Sequence, residues 1–367
     1  MMRFSSLTFV VLLTLGACTH DTRSGTPEHP RLIAPKSIRA LWVDSWNAGI
    51  SSRSECDLMI DTAVKDGFNT LLVEVRKVGD AYYQSHLEPR GLVAGTDEVV
   101  DRNFDPLAYI IERARHGEGL RVEAWIVANR IWKGLEAPRP SDPPHVVNAH
   151  PNWLLRNAAG EIRDRSAGDS IYLDPAVPEA RSHVARVAAD IARKYRVDAI
   201  HLDYIRYPGG AWQHDDPRRN DLEYVRERAA HVLAEVRGIR NAIRLENPDV
   251  ELTAATLSWG TLPDGGYRAS PGYLEACQDW PTWCEQGLID VAYVMHYKRE
   301  ALPDQSADFR NWLDEFRRIR AKGSARIVPG IGSYLNDAAG NAAQESAVLE
   351  SGLDGVAHFS YANPVKR

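Results

Sequence analysis

Acidic side chains recur at the ends of short apolar runs in this 367-residue chain. Asp44 closes the run 39–44, Glu74 and Arg76 close 70–76, and Asp203 closes 199–203. Alternate residues in each run are apolar: Leu41 and Val43, then Leu71, Val73 and Val75, then Ile200 and Leu202. With those facing a hydrophobic layer, Trp42 and Asp44, Glu74 and Arg76, and His201 and Asp203 face the other way, into a shared interior. The same parity over 121–126 turns Glu123 and Trp125 inward, and His296 and His358 are also assigned inward. Two carboxyl groups on one cavity are what glycosidic-bond hydrolysis needs. One protonates the leaving oxygen and the other acts as nucleophile or base. Asp203, beside Arg206 and Tyr207, is the expected carboxylate, with Arg206 keeping it ionised. Glu74 is the first choice for the acid and Asp44 the second. Glu123 lies deeper and is read as a paired structural charge. On an amino sugar, an N-acetyl-assisted route would use one carboxylate to orient the acetamide instead.

The elements that would position these groups alternate. Strands are expected at 39–44, 70–76, 121–126, 199–203, 251–257, 291–296, 326–330 and 355–360. Helical periodicity occupies 55–65, 106–115, 178–195, 222–247, 308–322 and 338–350. Pro106 and Pro178 suit a first helical turn, and Gly67 and Gly323 suit helix ends. Eight strands alternating with helices predict an α/β fold, a single (β/α)8 barrel over 38–367, with no eighth helix expected because the chain stops soon after Ser360. An open doubly wound sheet is the alternative, but no glycine-rich phosphate loop follows the first strand.

Ten tryptophans add a second signal. Trp46, Trp132, Trp153, Trp212, Trp259, Trp280 and Trp283 fall after strands, and Trp125 points inward. Indole rings cover the apolar face of a sugar while charged and amide groups bond its hydroxyls. As a distribution these residues predict a carbohydrate groove, walled by the long segments 127–177 and 258–289.

Composition narrows the classes. With 44 basic against 50 acidic residues and a net charge of −6, no nucleic-acid partner is expected. Apolar residues make up 44%, enough for a large core. Residues 1–18 read as a secretory signal: Arg3, an apolar stretch 7–13, then Leu15-Gly16-Ala17-Cys18, a lipobox-like ending. Cys18 is the expected lipidation site, 19–37 a polar tether, and Thr19 favours the outer membrane, facing the periplasm. The membrane is then a partner only through the lipid. Cys277 and Cys284 are close enough in sequence to pair, and Cys56 reads as a buried thiol.

Several segments resemble the bacterial family-10-like glycosyl hydrolases. They are Ile38-Arg39-Ala40-Leu41-Trp42-Val43, Gly67-Phe68-Asn69-Thr70 with Glu74-Val75-Arg76 and Gly79-Asp80-Ala81-Tyr82-Tyr83, and Phe104-Asp105-Pro106-Leu107. Trp125 to Arg130, His150-Pro151-Asn152-Trp153 and Leu173-Asp174-Pro175 follow the same pattern. The most specific is Val197 to Pro208, with His201-Leu202-Asp203-Tyr204-Ile205-Arg206-Tyr207 at its centre. The resemblance spans about 38–361. It implies a secreted or lipid-anchored barrel glycosidase with no cofactor, acting on polysaccharide such as peptide-free peptidoglycan strands. The expected substrate-binding residues are Trp46, Arg76, Trp125, Asn129, Arg130, Trp153, Arg206, Tyr207, Trp259, His296 and Tyr297.

Two other readings compete. A catalytically silent carbohydrate-binding lipoprotein would use the same groove, and neither the fifth nor the sixth strand ends in an acid. A metal-dependent polysaccharide deacetylase would need His201, Asp203, His296 and His358 to converge, although their spacing forms no compact ligand motif.

Overall fold

The computed structural model describes residues 35–116, 119–209, 216–218 and 221–363. Cys18, the signal, nearly all of the tether and Trp212 lie outside the described residues.

The first half runs β1 (Ile38–Val43), α1 (Arg53–Lys65), β2 (Thr70–Arg76), α2 (Pro106–His116), β3 (Arg121–Val127), β4 (Arg130–Trp132), α3 (Val146–Ala149), β5 (Arg163–Asp164), β6 (Ser170–Tyr172) and α4 (Pro178–Lys194). The second runs β7 (Ala199–Asp203), α5 (Leu222–Glu246), β8 (Glu251–Leu257), α6 (Pro271–Leu274), α7 (Trp280–Glu285), β9 (Val291–Met295), α8 (Pro303–Arg320), β10 (Arg326–Gly332), α9 (Ala338–Glu350) and β11 (Gly355–Phe359). Eight parallel strands close in the order β1-β11-β10-β9-β8-β7-β3-β2. The fold is therefore a (β/α)8 barrel, as the alternation predicts, and the open sheet is excluded. Among the described residues no helix follows β11, and the Tyr361 amide instead donates to the Trp42 carbonyl at 2.8 Å.

Two apolar layers follow from strand parity. Leu41, Val43, Leu71, Val73, Val75, Val122, Ala124 and Ile126 pack beneath the helices. Ile38, Ala40, Trp42, Leu72, Trp125, Val291, Tyr293 and Val328 fill the barrel itself. Most helices start within two residues of the expected positions, but α8 starts at Pro303, five residues before the expected 308. Ser52 caps α1 at the Glu55 amide, and Glu55 reaches back to the Gly49 and Ser51 amides at 2.8 and 2.9 Å. Pro106, Pro178 and Pro303 each open a helix, where a missing N–H costs nothing.

The core also claims residues that the sequence assigns to the rim. Trp280 and Trp283 on α7 are fully buried in the helix layer with Trp312. Trp153 is buried there too, stacked on His150 at 3.6 Å between ring centres. Three of the supposed groove tryptophans are therefore packing residues, because the loops after β3 and β8 fold back as short helices and need cores of their own. Cys277 and Cys284 are free and buried, as is Cys56, so the pairing that their spacing allows does not form.

Candidate active site at the strand ends

Inward parity delivers Asp44, Glu74 and Asp203 to one cavity, while both ring nitrogens of inward His201 are taken by Trp42 and Thr253 below it. Glu74 is level with Trp125 and His201, while Asp203 pairs with Val127, two residues nearer the rim. Val43 pairs with Val73, so Asp44 comes next to Glu74.

Glu74 is buried. Its Oε2 accepts from both the amide and the hydroxyl of Ser45, each at 2.8 Å. Burial, with Asp44 adding to it, pushes the carboxyl up to about 8, while the Ser45 donors and Arg130 pull the other way. At neutral pH Glu74 carries a proton. Asp44 accepts from the Trp46 amide at 3.2 Å and Asn47 Nδ2 at 2.7 Å. Asp203 is buried as well, and burial raises it above the ordinary carboxylate range. Arg206, the Tyr204 amide, Arg130 and Trp125 oppose that rise. Burial thus outweighs Arg206, the residue expected to keep this carboxyl ionised.

Around the acids lies a stack that the sequence does not announce. Tyr204 adopts a left-handed backbone with φ +49°, a costly conformation for a side chain of this size. Its amide meets the Asp203 carboxylate at 2.6 Å, and its ring sits between two guanidinium groups, Arg130 at 4.1 Å and Arg206 at 4.4 Å. Arg206 also covers Trp259 at 4.9 Å, and Arg130 reaches Trp46 at 5.7 Å. The sequence Trp46–Arg130–Tyr204–Arg206–Trp259 thus alternates aromatic and cationic planes across the mouth. Trp46, 39% exposed, offers an open face. Beneath it, Trp125 Nε1, Tyr297 Oη, Arg130 Nε and Arg206 Nε are buried without a well-formed hydrogen bond. Tyr297 lies against Asp203, whose charge helps to raise its phenol.

Other expected binding residues are turned elsewhere. Arg76 sits past a register shift after Glu74 that swings it off inward parity. It is fully buried, paired to Glu88 at 2.6 Å and donating to the Val127 and Ala128 carbonyls, while His183 contacts Glu88 at 2.9 Å. Asn129 donates to Glu235 on α5 at 3.0 Å. Tyr207 lies in the core beneath Arg228 and contacts His231 at 3.2 Å. His296 and His358 have outward parity. His296 stacks on Phe309 at 4.5 Å and meets Ser258 at 2.9 Å, while His358 meets Ser333 at 3.2 Å. The proposed metal set therefore does not converge, and the described residues contain no cluster of three or more metal-ligating side chains. Glu123 is structural as expected: Arg121, Thr253 and Tyr293 all donate to it, at 3.0, 2.6 and 2.9 Å.

A family model described as glycosyl hydrolase-like 10 matches residues 37–316. The chain belongs to the glycosyl hydrolase-like 10 family. Among curated relatives, it is 24% identical over 292 residues to glycosyl hydrolase YngK of Bacillus subtilis, covering 76% of this chain and 52% of the relative. It is 23% identical over 316 residues to glycosyl hydrolase DigH of Escherichia coli, covering 75% and 64%. The chain thus spans between half and two thirds of the length of these relatives. In fold it is similar to a β-galactosidase of G. stearothermophilus, with TM-score 0.61, 11% identity and coverage of 89% of this chain and 51% of that one. It is also similar to an α-L-fucosidase from Paenibacillus thiaminolyticus, with TM-score 0.57, 16% identity and coverage of 88% and 46%.

Proposed function

We propose that this protein is a glycoside hydrolase acting on bacterial cell-wall polysaccharide, with peptide-free peptidoglycan strands as substrate. One observation carries the reading: a protonated Glu74 and a second buried carboxyl, Asp203, stand on inward positions of β2 and β7, beneath an open aromatic mouth. Glu74 donates its proton to the leaving glycosidic oxygen. Asp203, whose charged form Arg206 and Arg130 favour against its burial, acts as nucleophile or base, and Tyr297 and Trp125 offer donors to the sugar. Asp44 sustains the proton on Glu74 by like-charge repulsion. Trp46 and Trp259 supply stacking faces. The family membership and the names of the relatives support the class of reaction.

Incubation with peptide-free strands followed by mass spectrometry tests the proposal. Shortened glycans support it. Intact strands retained by the protein would leave a binding lipoprotein, and strands that lose acetyl groups would make it a deacetylase. We further propose that Cys18 is the acylated N-terminus and anchors the domain to the outer membrane, facing the periplasm. Cys18→Ala is then expected to accumulate unprocessed precursor, and normal processing would refute the anchor.

A further inference from the structure

Three cations converge on the exposed ring of Trp46. Lys77 Nζ lies 4.7 Å from its centroid, Lys133 Nζ 5.4 Å and the Arg130 guanidinium 5.7 Å. Among the described residues, none of the three has a carboxylate at ion-pair distance, and Arg130 acts on Glu74 and Asp203 only at longer range. Lys77 is 93% buried, the complement of its 7% exposure, yet its ammonium has only the Ser45 carbonyl at 3.5 Å and the faces of Trp46 and Tyr82. Nearby acids are otherwise engaged. Asp80 accepts from the Lys77 and Val78 amides, Asp97 pairs with Arg139, and Asp44 accepts from the loop that carries Trp46. Burying an ammonium without a counter-charge is costly, and two more cations beside it raise that cost. In a chain of net charge −6, such a cluster is a local inversion of the protein's overall sign. Two members of the cluster also open on space. Trp46 and Lys77 line a cavity of about 570 Å³ with Leu92, Val93, Thr96 and Asp97, within the range of small-ligand sites.

We propose that Trp46, Lys77, Arg130 and Lys133 form a subsite for a sugar that carries a free carboxylate. The indole covers the ring, and the three cations supply the counter-charge to the substituent. This rests on the glycosidase reading and adds to it the chemical feature that selects the substrate. A carboxylate converted to an amide loses its charge, so a strand bearing stem peptides, which are amide-linked there, is a poorer occupant than a peptide-free strand. Selection against the peptide would then be electrostatic as well as steric.

Binding and cleavage of peptide-free glycan strands are measured beside the same strands with every carboxyl converted to a methylamide. The unmodified strands are expected to bind about tenfold more tightly, the scale of one charge-assisted contact, and the advantage is expected to shrink as salt rises. Lys133→Met, at an exposed position, is expected to narrow the advantage several-fold with no change in melting temperature. Lys77→Met combined with it brings the two ligands close to parity. If wild-type protein binds and cleaves both strands equally, the subsite is wrong and the glycosidase reading stands. If it binds neither, both fall. A Lys133→Met protein that keeps the full preference also overturns the assignment, whether or not the Lys77 variant folds.

Discussion

Two polar layers lie inside the same barrel, and they differ in how completely they are satisfied. In the lower one, Trp42 donates to His201 Nε2 at 3.1 Å, His201 Nδ1 meets Thr253 at 3.0 Å, and Thr253 donates to Glu123. Arg121 and Tyr293 complete the carboxylate, and Arg121 continues to Glu251 at 2.6 Å. Burial drops His201 to about 4, so the ring is neutral and its tautomer follows from its neighbours. In the upper layer Glu74 keeps its proton, and Tyr297 Oη, Trp125 Nε1, Arg130 Nε and Arg206 Nε have no well-formed partner. Both layers are buried and both contain acids. A closed network holds strands together, whereas an open one faces what is to be bound.

Substitutions can break or sharpen this contrast. The largest effect on turnover is expected at Asp203. Asp203→Asn should cut turnover by about 10³-fold or more, near 4 kcal/mol of barrier, while glycan binding and melting temperature stay close to wild type. Near-normal turnover in a folded protein would move the role to Glu74 or Asp44.

The lower layer should respond in the opposite way. Glu123→Ala strands Thr253 and Tyr293 and is expected to cost about 3 kcal/mol of stability, with turnover per folded molecule unchanged. Trp153→Ala, in the core, is expected to behave alike, with about 3 kcal/mol lost. Denaturant unfolding and activity on one preparation check both. A selective loss of turnover would place either residue in the catalytic layer.

Glu74 supplies the pH dependence. Its folded carboxyl, near 8, lies above its ordinary value of 4.5. Between those limits the unfolded chain ionises while the folded protein holds its proton, so stability falls as pH rises and levels off above about 8. Glu74→Gln should remove that slope, worth on the order of 5 kcal/mol, in melts from pH 4 to 9. As the acid, Glu74 also sets an alkaline limb of activity near pH 8. An unchanged limb in the Gln variant would assign the proton elsewhere.

The smallest effect is expected at the mouth. Trp46→Ala should weaken glycan binding about fivefold, since stacked rings contribute roughly 1 kcal/mol beyond burial, with stability intact. Loss of folding there would make Trp46 a packing residue like Trp153.

These contrasts show which features were legible from residue order. Eight strands, their limits to within about two residues and the inward turn of Asp44, Glu74, Glu123 and Asp203 follow from alternating polarity, because one polar residue fixes the parity of its whole strand. β9 and β11 carry no such marker. Val291 and Tyr293 face inward and Ala292 and Val294 outward, all apolar, so the pattern could not place His296 or His358. Arg76 was lost to a register shift that no residue type signals, and Trp153, Trp280 and Trp283 to loops that build their own cores. Tyr204, Lys77 and Lys133 went unread for a related reason. Their role is proximity across separate strands and loops, and sequence carries periodicity within an element but not distance between elements. Local alternation therefore determined the barrel and the depth of its acids. Only the closed tertiary structure decided which acid holds a proton, because burial and neighbouring charge set that choice.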